Sequence, residues 1–374
     1  MNLRNAPTRE FDVFLLLSAM GLAAYGALLI YSGSLSSYGG GISDLSHPMT
    51  RQVMFACLGF VAMGIMSRVD YRMLGPLSVT LYLLSLAGLV FVLVAGSSEF
   101  GSRRWIPVAG VQLQPSEIAK VFTAIMLAKY FSDNDARIQS PRVFATSIVI
   151  AAAPAALVLV EPDLGSALIF GALWLGMALV AGVRLQYLAG LVAVAGVAAP
   201  ITFLQLARGY QRERIDSWLH PEDDPLGRGF QILQAETSIG SGGMWGKGFT
   251  HGTQTQLDYL RTQTTDYVFS VGAEELGFAG ALVLFGLFVV LLLRCLRVAA
   301  HSEDAFGRLI AVGVTTFILF QVFVNIGVNI RLVPVTGVPL PLVSQGGSSL
   351  VTVLGALGIL QSVLGYRRQR ARRL

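Results

Sequence analysis

"FDVFLLLSAMGLAAYGALLIY", residues 11–31, carries a single charge, Asp12. As a helix, about 20 such residues rise roughly 30 Å, the thickness of a bilayer's hydrocarbon core. The apolar region of a secretory signal is shorter, so the run reads as a retained transmembrane helix. Cleavage near the following "SGSLSS" is the alternative. Comparable windows recur along the chain at 11–31, 50–67, 75–95, 116–130, 143–160, 164–182, 185–207, 267–294, 306–328 and 346–366. The fold class that follows is all-α, a polytopic membrane protein of about ten crossings forming one integral membrane domain over 1–374. The fourth window is short and holds Glu117 and Lys120, so it is expected to lie behind the others.

Composition agrees. The chain is 54% hydrophobic and 13% charged, with a mean hydropathy of +0.64. A soluble domain is about a quarter charged. The +5 formal charge does not point to nucleic acid, because much of it sits in the tail "RRQRARRL" and in short loops. An even number of crossings puts both termini on one side, and sixteen of the 27 Lys and Arg fall there. Cytoplasmic loops are the Arg/Lys-rich ones, so both termini are expected in the cytoplasm. The segment 208–266, between the seventh and eighth crossings, is then a large extracytoplasmic loop. It is far longer than an ordinary connection and mixes apolar and aromatic residues with glycine turns, which argues for function rather than disorder. Cys57 and Cys295 fall near opposite ends of their helices, too far apart for a disulfide, and read as buried packing thiols.

Several polar stretches interrupt the apolar pattern. "SRRWIPVAGVQLQPSEIAK" puts Arg103 and Arg104 beside Trp105, either as an interfacial anchor or as an anion-binding rim. Its end places Glu117 and Lys120 three apart on one helix face, the spacing of an ion pair. "EPDLGS" reads as a turn in which Asp163 caps the next helix. "GYQRERIDSWLHPEDDPLGRGFQ" is the densest charged cluster. Its Arg212 and Arg214 either grip a diphosphate by paired donors or form a solvated face. "GGMWGKG" fails the phosphate-loop spacing and reads as a turn-rich loop. "NIGVNIRLVPVTGVPLPLVSQGGSS" holds three prolines and four glycines, with Arg331 near its start. Such backbone is tolerated at membrane depth where protein buries it or where it lines a cavity. Together these suggest a polar cavity rimmed by arginines for an amphiphile with an anionic head. Both a transferase acting on a lipid-linked diphosphate and a transporter or flippase fit that description.

At these residues the chain resembles the SEDS (shape, elongation, division, sporulation) family, in its rod-shape branch more than its division branch. The likeness runs over essentially the whole chain. It rests on "RRWIPVAGVQLQPSEIAK", "EPDLGSAL", "YQRERI", "DPLGRGFQILQ", "IGSGGMWGKGFTHGTQTQLDYL", "TTDYVFSVGAEELG" and "VPLPLVSQGGSS". The resemblance implies a peptidoglycan glycosyltransferase of the cytoplasmic (inner) membrane that polymerises lipid II during elongation. Its implied partners are a class B penicillin-binding protein transpeptidase and other elongation-complex membrane proteins. The family's essential aspartate maps onto Asp266. Two departures stand beside it, Thr264 for the family's His and Tyr267 for its Phe, and Gln345 replaces a Tyr in the last motif. For that reaction Asp266 is the expected general base, and Arg104, Arg212, Arg214 and Lys120 are candidates for neutralising the undecaprenyl diphosphate. Trp105, Gln254 and Ser344 complete the substrate-binding set. A divalent cation such as Mg2+ could share the charge, but the sequence shows no dedicated metal site.

Residues 264–285 also contain Glu274 and Glu275. On a helix starting at Asp266, Glu274 lies about 12 Å deeper and about 80° round the axis, and Glu275 about 180° round. Geometry therefore assigns Glu274 to a buried partner such as Lys120 or Arg331, in a structural ion-pair set with Glu117. Glu275 caps or packs elsewhere.

Overall fold

The computed structural model describes residues 11–38, 47–99, 102–108, 111–206, 209–224, 227–260 and 262–371. Its first helices are α1 (Val13–Tyr38), α2 (Pro48–Arg68) and α3 (Leu74–Ala95). A small antiparallel sheet of β1 (Ser97–Glu99), β2 (Ser102–Val108) and β3 (Val111–Leu113) comes next. Four helices follow: α4 (Pro115–Asp133), α5 (Pro141–Val160), α6 (Leu164–Ala181) and α7 (Leu185–Leu206). Three short ones, α8 (Gly209–Leu219), α9 (Arg228–Ser241) and α10 (Thr253–Gln256), precede α11 (Val268–His301), α12 (Ala305–Asn329) and α13 (Gly347–Ala371). Helices α1 to α7 and α11 to α13 correspond to the ten expected crossings. Eight of them are long and apolar enough to span a membrane. Helix α4 carries Glu117, Lys120, Lys129 and Asp133 and is buried over most of its inner length, as expected of a crossing behind the others.

Helix α12 is buried on nearly every side and packs against α4, α6 and α11, while α13 lies along α2. The outer helices expose apolar side chains suited to lipid, among them Leu84 of α3, Val149 of α5 and Leu293 of α11. Cys57 belongs to this exposed surface, which corrects the expectation of two buried thiols; Cys295 is buried. The difference lies in α2, most of which faces outward.

We call the face where α1 begins the near face. There Asp12, the one charge of residues 11–31, pairs with Arg294 (Nη2–Oδ2 2.6 Å), and the Gln361 side chain bonds both its N–H and its C=O. At the far face stand the sheet, helices α8 to α10 and the irregular segment 330–346. That last segment is ordered and largely buried, with Val338, Leu340, Leu342 and Val343 in the core. It approaches α1 so closely that a Cβ on Gly26 would stand 2.3 Å from the carbonyl oxygen of Val343.

Helix α11 is broken at Gly277, where φ is 65° and ψ −162°. A break strands carbonyls before it and N–H groups after it. Here one loop satisfies both sets. Lys247 and Gly248 donate their N–H to the carbonyls of Glu274 and Glu275 (3.0 Å each), and Phe278 and Ala279 donate to those of Gly243 and Met244 (2.9 and 3.1 Å). Gly277 is required twice over: its backbone region is essentially closed to other residues, and a Cβ there would sit 2.2 Å from the Gly246 nitrogen. Gly277→Ala should therefore lower the detergent-solubilised melting temperature, with a loss of at least about 1–3 kcal/mol. A melting curve matching the wild type would contradict this reading of the break.

Candidate active site

Residues 262–267 form a tight turn ahead of α11. The Thr262 carbonyl accepts from the N–H groups of Thr265, Asp266 and Tyr267. The carbonyls of residues 264 to 266 are each held from outside. Gln345 N–H donates to Thr264 O (2.8 Å), and Ser344 Oγ donates to Thr265 O (2.5 Å). The side-chain amides of Asn325 and Asn329 both donate to Asp266 O (3.2 and 2.8 Å). Asn329 Oδ1 also accepts from Ser270 N–H and Oγ at the first turn of α11. The backbone of Asp266 is thus fixed by α12 and by the segment leading into α13. Its carboxylate takes no part in that framework, and Thr265 donates to it.

The charges around that carboxylate come from three other elements. Burial pushes the Asp266 acid up to about 6, Arg214 and Arg104 pull it down, and Asp163 pushes it up. It nonetheless keeps part of its surface open, as a group reached by substrate must. Arg214, on α8, is tied to the Val335 carbonyl (2.9 Å). Arg104, on β2, donates to the carbonyls of Glu161 (3.1 Å) and Pro162 and stands 3.7 Å from Asp163. Asp163 caps α6 as expected, accepting from Ser166 N–H and Oγ (3.0 and 2.8 Å). Glu161 is 2% exposed, with one carboxyl oxygen lacking a partner. Burial, then the Asp163 charge, push it up to about 8 against the pull of Arg104.

The other expected residues divide. Trp105 is half-buried on β2 beside Arg104, and Arg212 is exposed on α8 two residues before Arg214. Ser344 lies under the site as a scaffold: it holds Thr265 O and accepts from Leu340 N–H (2.9 Å). Arg208, which precedes the charged cluster of Arg212 and Arg214, lies outside the described residues. Lys120 is corrected. It is 1% exposed and bonded to Glu117 (2.7 Å), so its ammonium is closed off from any headgroup.

Glu274 is corrected too, since its partner is neither Lys120 nor Arg331. Fully buried, it accepts from Lys247 Nζ (2.8 Å), from the N–H groups of Gln254 and Thr255, and from both threonine hydroxyls of α10. Gln254 therefore stands in this clasp rather than with Arg104 and Arg214. The turn-rich reading of "GGMWGKG" missed Lys247, because the break that brings it to Glu274 is a tertiary feature. Glu275 accepts from Ser32 Oγ (2.5 Å) on α1. Arg331 pins the end of α8, donating to the carbonyls of Trp218 and Leu219 (3.0 Å each), with Glu236 at 3.8 Å.

A half-open aspartate, with Glu161 and Asp163 behind it and Arg104 and Arg214 beside it, stands at one end of a helical membrane bundle. Residues 12–369 match the cell cycle protein family of FtsW, RodA and SpoVE, and the chain belongs to that family. It is 36% identical over 359 residues to the peptidoglycan glycosyltransferase MrdB of Escherichia coli (strain K12), covering 96% of this chain and 95% of that one. It is 36% identical over 362 residues to stage V sporulation protein E of Bacillus subtilis (strain 168), covering 96% and 98%. Among solved structures, a chain of a peptidoglycan synthase complex that coordinates polymerization and crosslinking superposes with a TM-score of 0.80. It is 33% identical, with 96% of this chain and 99% of that one covered. The rod shape determining protein RodA of Thermus thermophilus gives a TM-score of 0.70 at 29% identity, covering 96% and 98%.

Proposed function

We infer that this chain is a peptidoglycan glycosyltransferase that polymerises lipid II. The observation that carries the inference is the turn at Asp266: its backbone is fixed by α12 and by the segment leading into α13, while its carboxylate is left for chemistry beside Arg104 and Arg214. The relatives' names support the activity, and nothing in them favours the flippase alternative. The far face is then the outer face of the cytoplasmic membrane and the near face, with both termini, the cytoplasmic one. Residues 208–266 form an extracytoplasmic loop on a single membrane domain. The work belongs to cell elongation, with a class B penicillin-binding transpeptidase as partner alongside other elongation-complex proteins. A solved relative that sits in a complex coordinating polymerization with crosslinking supports that partnership.

In the reaction Asp266 accepts the proton of the acceptor sugar's hydroxyl as that oxygen bonds to the anomeric carbon of the donor. The bond from that carbon to undecaprenyl diphosphate breaks, and the pair of electrons leaves with the diphosphate. Arg104, Arg212 and Arg214 meet the developing charge. Glu161, neutral at pH 7, adds no negative charge there. Among the described residues no three His, Cys, Asp or Glu side chains gather as a metal-binding group. No step is routed through a metal ion.

The test is to supply lipid II to the purified protein with its transpeptidase partner and resolve glycan strands on a gel. Absence of strands from a folded complex would sink the reading. The pH profile is a second check. A base with its acid raised to about 6 is ionised above that value. The rate should fall about tenfold per unit as pH drops below about 6. A rate flat down to pH 4.5 would remove Asp266 from the role.

A further inference from the structure

Glu161 and Asp163 stand two residues apart in the turn between α5 and α6, each 2% exposed, yet the fold equips them differently. Asp163 is surrounded by donors: Ser166 N–H at 3.0 Å, Ser166 Oγ at 2.8 Å and the Arg104 guanidinium at 3.7 Å. Such a set suits a carboxylate. Arg104 instead grips the main-chain carbonyl of Glu161 (3.1 Å). Among the described residues one oxygen of the Glu161 carboxyl has no hydrogen-bond partner. A buried carboxylate left short of donors is costly, and such a group keeps its proton. The turn is thus built for one charge, on Asp163, and one proton, on Glu161, as two acids in unlike surroundings divide their roles. The charged groups that face Glu161 are Asp163 on its own turn and Arg104 on β2. The same two act on Asp266, together with Arg214 of α8.

We propose that Glu161 is a positioning residue that works in its protonated form, sparing Arg104 a second counter-charge, and that loss of this proton shuts the transfer off. Arg104 is tethered to the turn through the carbonyls of Glu161 and Pro162, so it cannot swing away from a charge formed there. With Asp163 alone beside it, its remaining field reaches the neighbourhood of Asp266. A second carboxylate on the tether would cancel the charge that meets the departing diphosphate. The inference rests on the polymerase reading above and adds a second titrating group to it. Burial and the Asp163 charge push Glu161 up to about 8, so it holds its proton below that value and loses it above. Turnover should be level between about 6 and 8 and fall about tenfold per unit beyond.

Polymerisation of lipid II by the full-length protein with its transpeptidase partner, followed from pH 7 to 9.5, tests this. Each protein's rate is referred to its own rate at pH 7.5 and measured again on return to that pH. Strands at pH 7.5 bear on the polymerase reading; the alkaline limb alone bears on Glu161. The wild type should show the limb and recover from it. Glu161→Gln, whose amide cannot ionise, should show none. Asp163→Asn removes the charge that opposes ionisation of Glu161, so its limb should move to lower pH. A wild-type rate level to pH 9.5, or one not regained on return, would overturn the proposal. So would a limb unchanged in Glu161→Gln, or a Glu161→Gln that melts as the wild type does and makes no strands, since its amide is as neutral as the acid. Should Glu161→Gln fail to fold, Asp163→Asn decides, and an unmoved limb there sinks the idea.

Discussion

Asp266→Asn should lose glycan polymerisation by about 10²–10⁴-fold, the usual contribution of a positioned base, with the fold intact. The substitution is nearly isosteric. The bonds that fix the turn go to backbone atoms of residues 262–267, and the amide leaves them in place. Stability should not fall. A carboxyl raised to about 6 is harder to ionise in the folded chain than in the unfolded one. That arrangement favours folding at low pH and loses its favour as pH rises through about 6. At pH 7.5 the wild type therefore carries an ionised, desolvated acid, which asparagine removes. The expected result is a melting temperature equal to or above the wild type, with the loss confined to turnover and little change in lipid II binding. A variant that polymerises near the wild-type rate would show that Asp266 is not the base. A variant that melts well below the wild type would show that its carboxylate serves the fold.

Much of this arrangement was legible in the sequence, for reasons that differ by element. The crossings are written in composition: a run such as residues 11–31 has one home, and even its single charge is explained by a partner on another helix. The capping role of Asp163 is local chemistry and was readable from "EPDLGS". Asp266 as base came from family resemblance; the structure adds the grip of α12 and of the segment before α13 on its backbone. Other features were closed to sequence reasoning. Glu274 was misassigned because its partners, Lys247 and the residues of α10, come from the loop that fills the break of α11 at Gly277. A single glycine in an apolar run does not announce a break; only the loop that fills it does. The three-stranded sheet that carries Arg104 was likewise missed, since its strands are short and stand in an otherwise helical chain. That sheet brings Arg104 to Asp163 from about sixty residues away, and Glu161 joins the cluster by the same route.

The buried pair Glu117–Lys120 allows the sharpest separation of structure from chemistry. Both side chains are 1% exposed and 2.7 Å apart, so each is the other's neutralising charge. Removing one leaves an uncompensated ion in the bundle, at a cost of about 3–5 kcal/mol. Lys120→Met and Glu117→Gln should each lower the melting temperature sharply and reduce the yield of monodisperse protein. Replacing both together by apolar residues of similar volume removes two charges at once. A buried pair exchanged in this way is often neutral to stability. Glu117→Leu with Lys120→Met should therefore recover most of the melting temperature that either single variant loses. Polymerisation then decides the role. If the pair only locks α4 in the bundle, the double variant regains turnover along with its fold. A double variant that folds as the wild type does and makes no glycan would return Lys120 to the substrate's side, against its position in the structure.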